Sequence, residues 1–112
     1  MDCLFCKIAA GEIPCNKVYE DDELLDFYDF DPQAPVHFLV IPKEHIPSAA
    51  AIDEQNAAIV AKVYTVIAKL AKELNLEKGF RVVTNCGEEG GQTVGHLHFH
   101  VLAGRNLSWP PG

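Results

Sequence analysis

Three histidines stand at alternate positions in Gly95-His96-Leu97-His98-Phe99-His100-Val101-Leu102. The residues between them are apolar, so the period is two, that of a half-buried β-strand. A strand would project His96, His98 and His100 from one face at spacings of roughly 6–7 Å, with Leu97, Phe99 and Val101 turned into a core. Imidazole changes charge near neutral pH and serves as ligand, nucleophile or proton carrier. Three on one face are therefore read as chemistry rather than as a solvated polar surface. The preceding segment, Cys86-Gly87-Glu88-Glu89-Gly90-Gly91-Gln92-Thr93-Val94, is rich in glycine, with four among the ten residues from Cys86 to Gly95. Taken alone it reads as a hairpin loop. Beside the histidines it also reads as a phosphate cradle, in which backbone N–H groups around Gly91 to Val94 approach an anion and Gln92 and Thr93 add uncharged donors.

The elements that must position these groups follow from local patterns. Cys3 to Ala10 predicts a short helix stopped by Gly11, and Pro14 prevents its resumption. Lys17-Val18-Tyr19-Glu20 and Leu24-Leu25-Asp26-Phe27-Tyr28-Asp29 predict two strands joined by a turn at Asp21-Asp22. After the proline-bounded loop Asp31–Pro35, Val36-His37-Phe38-Leu39-Val40-Ile41 is nearly continuous in apolar character and predicts a central strand ended by Pro42. Asp53 to Leu74 predicts the one long helix, with Asp53 as N-cap. Ile59, Val60, Val63, Val66, Ile67, Leu70 and Leu74 form its apolar stripe, and five alanines broaden it enough to suggest contact with another subunit. Phe80 to Asn85 predicts a fourth strand and the histidine segment a fifth. The fold class is α+β: a five-stranded antiparallel sheet with one long and one short helix.

At 112 residues the chain makes a single domain, 1–112, and its 48% hydrophobic content fits a globular core. A net charge of −7 argues against a nucleic-acid polymer or an anionic membrane as partner. No apolar run is long enough to span a bilayer. Asp2 stands where a signal peptide would carry basic residues, so the expected location is the cytoplasm, with cysteines that are thiols or metal ligands.

The segment His96-Leu97-His98-Phe99-His100-Val101-Leu102 resembles the histidine triad motif of the HIT family. Asp29-Phe30-Asp31-Pro32-Gln33-Ala34-Pro35-Val36-His37-Phe38-Leu39-Val40-Ile41-Pro42-Lys43 is similar to the first half of the HIT domain, and Trp109-Pro110-Pro111-Gly112 resembles the tail of its Hint branch. The resemblance covers essentially the whole chain. It implies the HIT-like fold, a homodimer, and a hydrolase that cleaves the P–N bond of purine nucleoside 5′-phosphoramidates through a nucleotidyl-histidine intermediate. By the resemblance His98 is the nucleophile, and His100 and the loop amides hold the phosphoryl oxygens. Thr93 supplies a hydroxyl where the branch usually has serine. His37 and Asn85 support the phosphate side, Asp29 takes the ribose hydroxyls, and Trp109 approaches the partner's pocket. Leu4, Phe5, Ile8, Phe27 and Phe30, which on their own read as core, match the apolar slot for the base, Phe30 replacing a common isoleucine. The chemistry needs no cofactor.

Cys3-Leu4-Phe5-Cys6 has the spacing of a zinc half-site or of two buried thiols on a short helix. Some HIT proteins carry a structural zinc on residues matching Cys3, Cys6, His45 and His96, and that resemblance implies zinc here. Three other functions stay open: a dinucleoside polyphosphate hydrolase using the same His98, a non-catalytic nucleotide-binding or adaptor protein, and a metalloenzyme with the triad on a catalytic metal. No acidic residue follows His100 to complete such a metal site, although an earlier one could fold in beside it.

Overall fold

The computed structural model describes residues 3–112. The chain runs α1 (Leu4–Ala9), β1 (Lys17–Glu20), β2 (Leu24–Tyr28), β3 (Val36–Pro42), a single 3-10 turn (Ala49–Ala51), α2 (Ala57–Glu73), β4 (Phe80–Val83) and β5 (Phe99–Ala103). The strands form one sheet in the order β1-β2-β3-β5-β4, antiparallel at every pairing. This is the expected α+β architecture, with β3 central. No helix among the described residues is long and apolar enough to cross a membrane.

Alternation along the strands divides the core into two layers. Leu24, Phe38, Val40, Phe99 and Val101 face α2, where Val63, Val66, Ile67 and Leu70 cover them. Leu25, Phe27, Leu39 and Ile41 face the other way and are covered by Phe5 and Ile8 of α1. The histidine side chains lie on this second face, beneath α1. The long helix thus supports the sheet from behind, and the short one roofs the chemistry.

Cys3 is the N-cap of α1, its sulfur accepting the Cys6 N–H. Gly11 follows with φ +80°, the left-handed conformation that terminates a helix without Cβ strain. The long helix begins at Ala57 and not at Asp53, because Asp53 caps a preceding turn. Its Oδ1 accepts the N–H groups of Gln55 and Asn56, while Asn56 Oδ1 accepts the Asp53 N–H, a reciprocal pair of the capping-box kind. Asn75, at φ 59°, ends the helix before Gly79 is reached.

The expected fifth strand is shortened at its start. Regular pairing begins at Phe99, opposite Val40, and His96 to His98 precede it. There the backbone bonds to loops instead: Leu97 N–H donates to the Ile46 carbonyl at 2.6 Å and the Thr84 hydroxyl donates to the His98 carbonyl at 2.8 Å. The in–out alternation nevertheless persists through this stretch, with Leu97 in the core facing α2 and His96 and His98 against Phe5. The fourth strand likewise stops at Val83, short of the predicted Asn85.

One residue breaks the apolar rule. Asp26 shares the α2-facing side of β2 with Leu24, is fully buried, and has no hydrogen-bond partner for either carboxylate oxygen among the described residues. Burial, with a smaller contribution from the Asp21 charge, pushes its carboxyl up to about 7. The folded protein therefore holds a proton that the unfolded chain releases near pH ~4, so stability falls as pH rises through that interval. Replacing Asp26 with Asn should remove this component. Between about pH 5 and about pH 8, the wild type should lose about 2–3 kcal/mol more than D26N in urea unfolding. Parallel pH profiles for the two proteins would show that Asp26 does not carry the proton.

Candidate active site

The site is assembled where β3 and β5 pair. In register, His37 lies opposite Leu102 and Leu39 opposite His100, so His37 and His100 are diagonal neighbours on one face. His37 Nε2 and His100 Nδ1 are 2.9 Å apart. His98 and His100 stack edge to face with ring centroids 5.0 Å apart, and Phe5 meets His98 at 5.0 Å. His96 and His98 are buried, and His100 is partly open.

Hydrogen bonding assigns the proton on each ring. His98 Nδ1 lies 2.7 Å from the His96 carbonyl, which can only accept, so Nδ1 carries the hydrogen and Nε2 keeps its lone pair. Thr84 holds the carbonyl of His98 itself. His96 Nε2 lies 2.7 Å from the Pro42 carbonyl, which leaves its Nδ1 bare. That bare nitrogen is 3.3 Å from Cys3 Sγ and 3.6 Å from Cys6 Sγ. His37 Nδ1 accepts the Gln33 N–H at 3.0 Å, so His37 donates from Nε2 to His100 Nδ1. His100 in turn carries its hydrogen on Nε2. Burial first, then the neighbouring His98 and His37, push His100 down to about 4, so it is neutral at physiological pH. His37 is also lowered, mainly by burial, against the opposing charges of Asp29 and Asp31.

Cys3, Cys6, His45 and His96 bring two sulfurs and two nitrogens within 4.8 Å of one another. Cys6 Sγ to His45 Nδ1 is 3.2 Å. Ligand atoms around tetrahedral zinc stand about 3.3–3.8 Å apart, so the donor set and its spacing fit that ion. The carbonyl on His96 Nε2 is the outer partner that a ligating histidine needs.

The loop expected to cradle phosphate is largely bonded to itself. Gly91 and Gln92 N–H groups donate to the Glu88 and Gly87 carbonyls. The Gln92 side chain accepts from Gly87 N–H and donates to the Pro47 and Val94 carbonyls. Gly91 and Gln92 thus brace the loop and do not present free donors, a correction to the sequence reading. Gly90 has no room for a Cβ, which would lie 2.3 Å from the Cys86 carbonyl oxygen. Thr93, exposed, and Val94, half-buried, remain available, since their N–H groups meet no acceptor among the described residues.

The residues matched to the base slot fall into two groups. Leu4 and Phe30 are exposed, whereas Phe5, Ile8 and Phe27 are buried in the core and can only back such a slot. Phe27 lies 6.1 Å behind Phe30. Asp29 stands at the pocket edge, its Oδ2 3.4 Å from His37 Nε2 and its Oδ1 accepting the Asp31 N–H. Asn85 and Trp109 line a separate groove of about 490 Å³ along the free edge of β4. Trp109 is 81% exposed. The sequence reading missed Thr84, Gln33 and Arg105. Their contacts run through backbone atoms, so no residue pattern announces them.

Comparison with known proteins agrees with this arrangement. The HIT domain model matches residues 10–107. The chain is 47% identical over 111 residues to an uncharacterized HIT-like protein of Synechococcus elongatus, covering 99% of this chain and 97% of that protein. A histidine triad protein from Clostridium difficile superposes with a TM-score of 0.94 at 54% identity, over 96% of this chain and 95% of that one. A HIT family hydrolase from Legionella pneumophila gives 0.97 at 46% identity, over 99% and 100%. With a family match over most of its length and relatives at this identity, the chain belongs to the HIT domain family.

Proposed function

We propose that the protein is a nucleoside phosphoramidase, cleaving the P–N bond of purine nucleoside 5′-phosphoramidates. The observation that carries this reading is the His98 ring, whose Nδ1 hydrogen bonds the His96 carbonyl and whose Nε2 lone pair is thereby free to attack. The similarity to a protein named as a HIT family hydrolase supports hydrolysis in general. In the proposed reaction Nε2 of His98 bonds to phosphorus as the P–N bond breaks, and the nitrogen takes a proton from solvent and leaves as an amine. Water then attacks phosphorus, returns a proton to solvent, breaks the P–His98 bond and releases the nucleoside monophosphate. His100 Nε2–H and the N–H groups of Thr93 and Val94 stabilise the phosphoryl oxygens, and the Thr93 hydroxyl serves the phosphate or the leaving nitrogen. Asp29 accepts from the ribose, and Leu4 and Phe30 cover the base.

H98N should lower kcat for adenosine 5′-phosphoramidate on the order of 10³-fold or more, while binding adenosine monophosphate nearly as well as wild type. A variant keeping a tenth of wild-type kcat would exclude His98 as nucleophile. Running guanosine 5′-phosphoramidate and diadenosine polyphosphates in parallel separates phosphoramidase from polyphosphate hydrolase. No turnover of any of them, with intact monophosphate binding, would favour a binding protein.

Cys3, Cys6, His45 and His96 are proposed to hold a structural zinc, which would fasten α1 to the start of the histidine segment. Neither Cys3 nor Cys6 is in a disulfide, so both can ligate as thiolates. Protein purified without chelator should contain about one zinc per chain. Its removal should lower Tm measurably, and zinc should restore it. Metal content below about a tenth of that, with no uptake on titration, would remove the site from consideration.

A homodimer is proposed, in which the tail of one protomer completes the pocket of the other. Its support is the exposure of Tyr64 on α2, of Phe80 on the edge strand and of Trp109. Arg81 anchors the root of the tail through the Leu107 and Ser108 carbonyls, next to the exposed Trp109. Deleting residues 108–112 should preserve the dimer but change kcat/KM and leaving-group preference. Mixing truncated chains with H98N chains should then recover activity, because the truncated chain's His98 receives the other chain's tail. Heterodimers without recovery would place the tail's action within one chain.

A further inference from the structure

The His37–His100 pair depends on a backbone donor outside the triad. Gln33 N–H points at His37 Nδ1 at 3.0 Å. A donor in that position forbids a proton on Nδ1, so His37 can be neither an Nδ1–H tautomer nor a cation without losing the bond. The single ring proton must sit on Nε2, shared between His100 Nδ1 at 2.9 Å and Asp29 Oδ2 at 3.4 Å. His100 can then accept only at Nδ1, and its own N–H is directed outward from Nε2. Were the first tautomer to invert, two lone pairs would face each other between the rings, and His100 would have to take up a proton or turn away.

What holds Gln33, through the carbonyl on the other side of its Cα from that N–H, is Arg105, just beyond the end of β5. Its Nε and Nη2 both donate to the Gln33 carbonyl, at 3.1 and 3.0 Å, and its Nη1 donates to the Asn106 carbonyl at 3.1 Å. The approach is close by design of the backbone. Gly104 adopts φ +94°, and a Cβ there would lie 2.8 Å from Pro35 Cβ. The loop from Asp31 to Pro35 is exposed for the most part. Its tie to β5 is this two-pronged grip, and a planar guanidinium is suited to such a grip where an ammonium is not.

We propose that Arg105 is a positioning residue: by clamping the Gln33 carbonyl it fixes the residue whose own N–H, across the same Cα, keeps His37 in the Nε2–H tautomer, so that His100 presents Nε2–H to a phosphoryl oxygen. The use of that N–H rests on the phosphoramidase reading; the tautomer assignment does not. Neither Arg105 nor Gln33 need touch the substrate.

The test is a long-range ¹H–¹⁵N correlation spectrum of the histidine rings in the full-length protein at about pH 7, with kcat and KM for adenosine 5′-phosphoramidate. Wild type should show His37 and His100 each with a bare Nδ1 and a protonated Nε2. In R105M, His37 should shift toward a mixture of tautomers. Its kcat should fall about tenfold with KM within about twofold, as expected when a group acting in the transition state is misplaced. Arg105 is exposed, and a thermal melt verifies the fold; R105Q, which loses the fork, reads the same spectrum should R105M not fold. An Nδ1–H signal for His37 in wild type would overturn the proposal. So would an unchanged His37 spectrum in the variants, even with reduced kcat. If the spectra respond as expected but wild type turns over no phosphoramidate, the substrate reading fails and the positioning role stands.

Discussion

A neutral imidazole has one proton for two nitrogens, and in this protein nearly every such choice is made by a neighbouring group. The His96 carbonyl takes the Nδ1–H of His98, and the Pro42 carbonyl takes the Nε2–H of His96. The same ring type is therefore set up with opposite nitrogens bare two residues apart. His98 keeps Nε2 bare, and His96 turns Nδ1 toward two thiols. Had both carbonyls been displaced by a small shift of the segment, neither assignment would survive. The site consequently depends less on the presence of histidines than on the rigidity of the backbone around them.

That rigidity has a visible origin. The segment from His96 to His98 lies just outside the regular ladder, yet the Leu97 N–H bonds the Ile46 carbonyl, the His96 N–H bonds the Val94 carbonyl and the His98 carbonyl accepts from Thr84. Its intervening Leu97 is locked into the core beneath α2. A regular strand would have used those backbone groups on neighbouring strands and could not have turned a carbonyl back to the ring of His98. The departure from ideal β-structure and the placement of the bare nitrogen are one feature.

α1 contributes on two levels. Phe5 and Ile8 seal the second core layer, and Phe5 packs edge-on against both His96 and His98. Cys3 and Cys6 bring sulfur to the same histidine that begins the segment. On the opposite face, the buried and unpartnered Asp26 is a cost that the apolar layer around it must outweigh. Nothing in the catalytic geometry explains why a carboxyl is kept there.

Much was legible from residue order alone. The period of two placed the three histidines on one face, and the three-and-four spacing marked α2. These are local regularities, and strand and helix geometry act on them without reference to the rest of the chain. Tertiary structure decided the remainder. It showed that Gln92 braces its own loop, that Leu4 and Phe30 alone of the five slot residues are exposed, and that the long helix starts beyond the turn capped by Asp53. It also joined His37 to His100, Thr84 to His98 and Arg105 to Gln33 across separations of 63, 14 and 72 residues. Two of those three contacts use backbone atoms, which every residue possesses. Side-chain identity therefore cannot foretell them, and only the folded path of the chain brings donor and acceptor together.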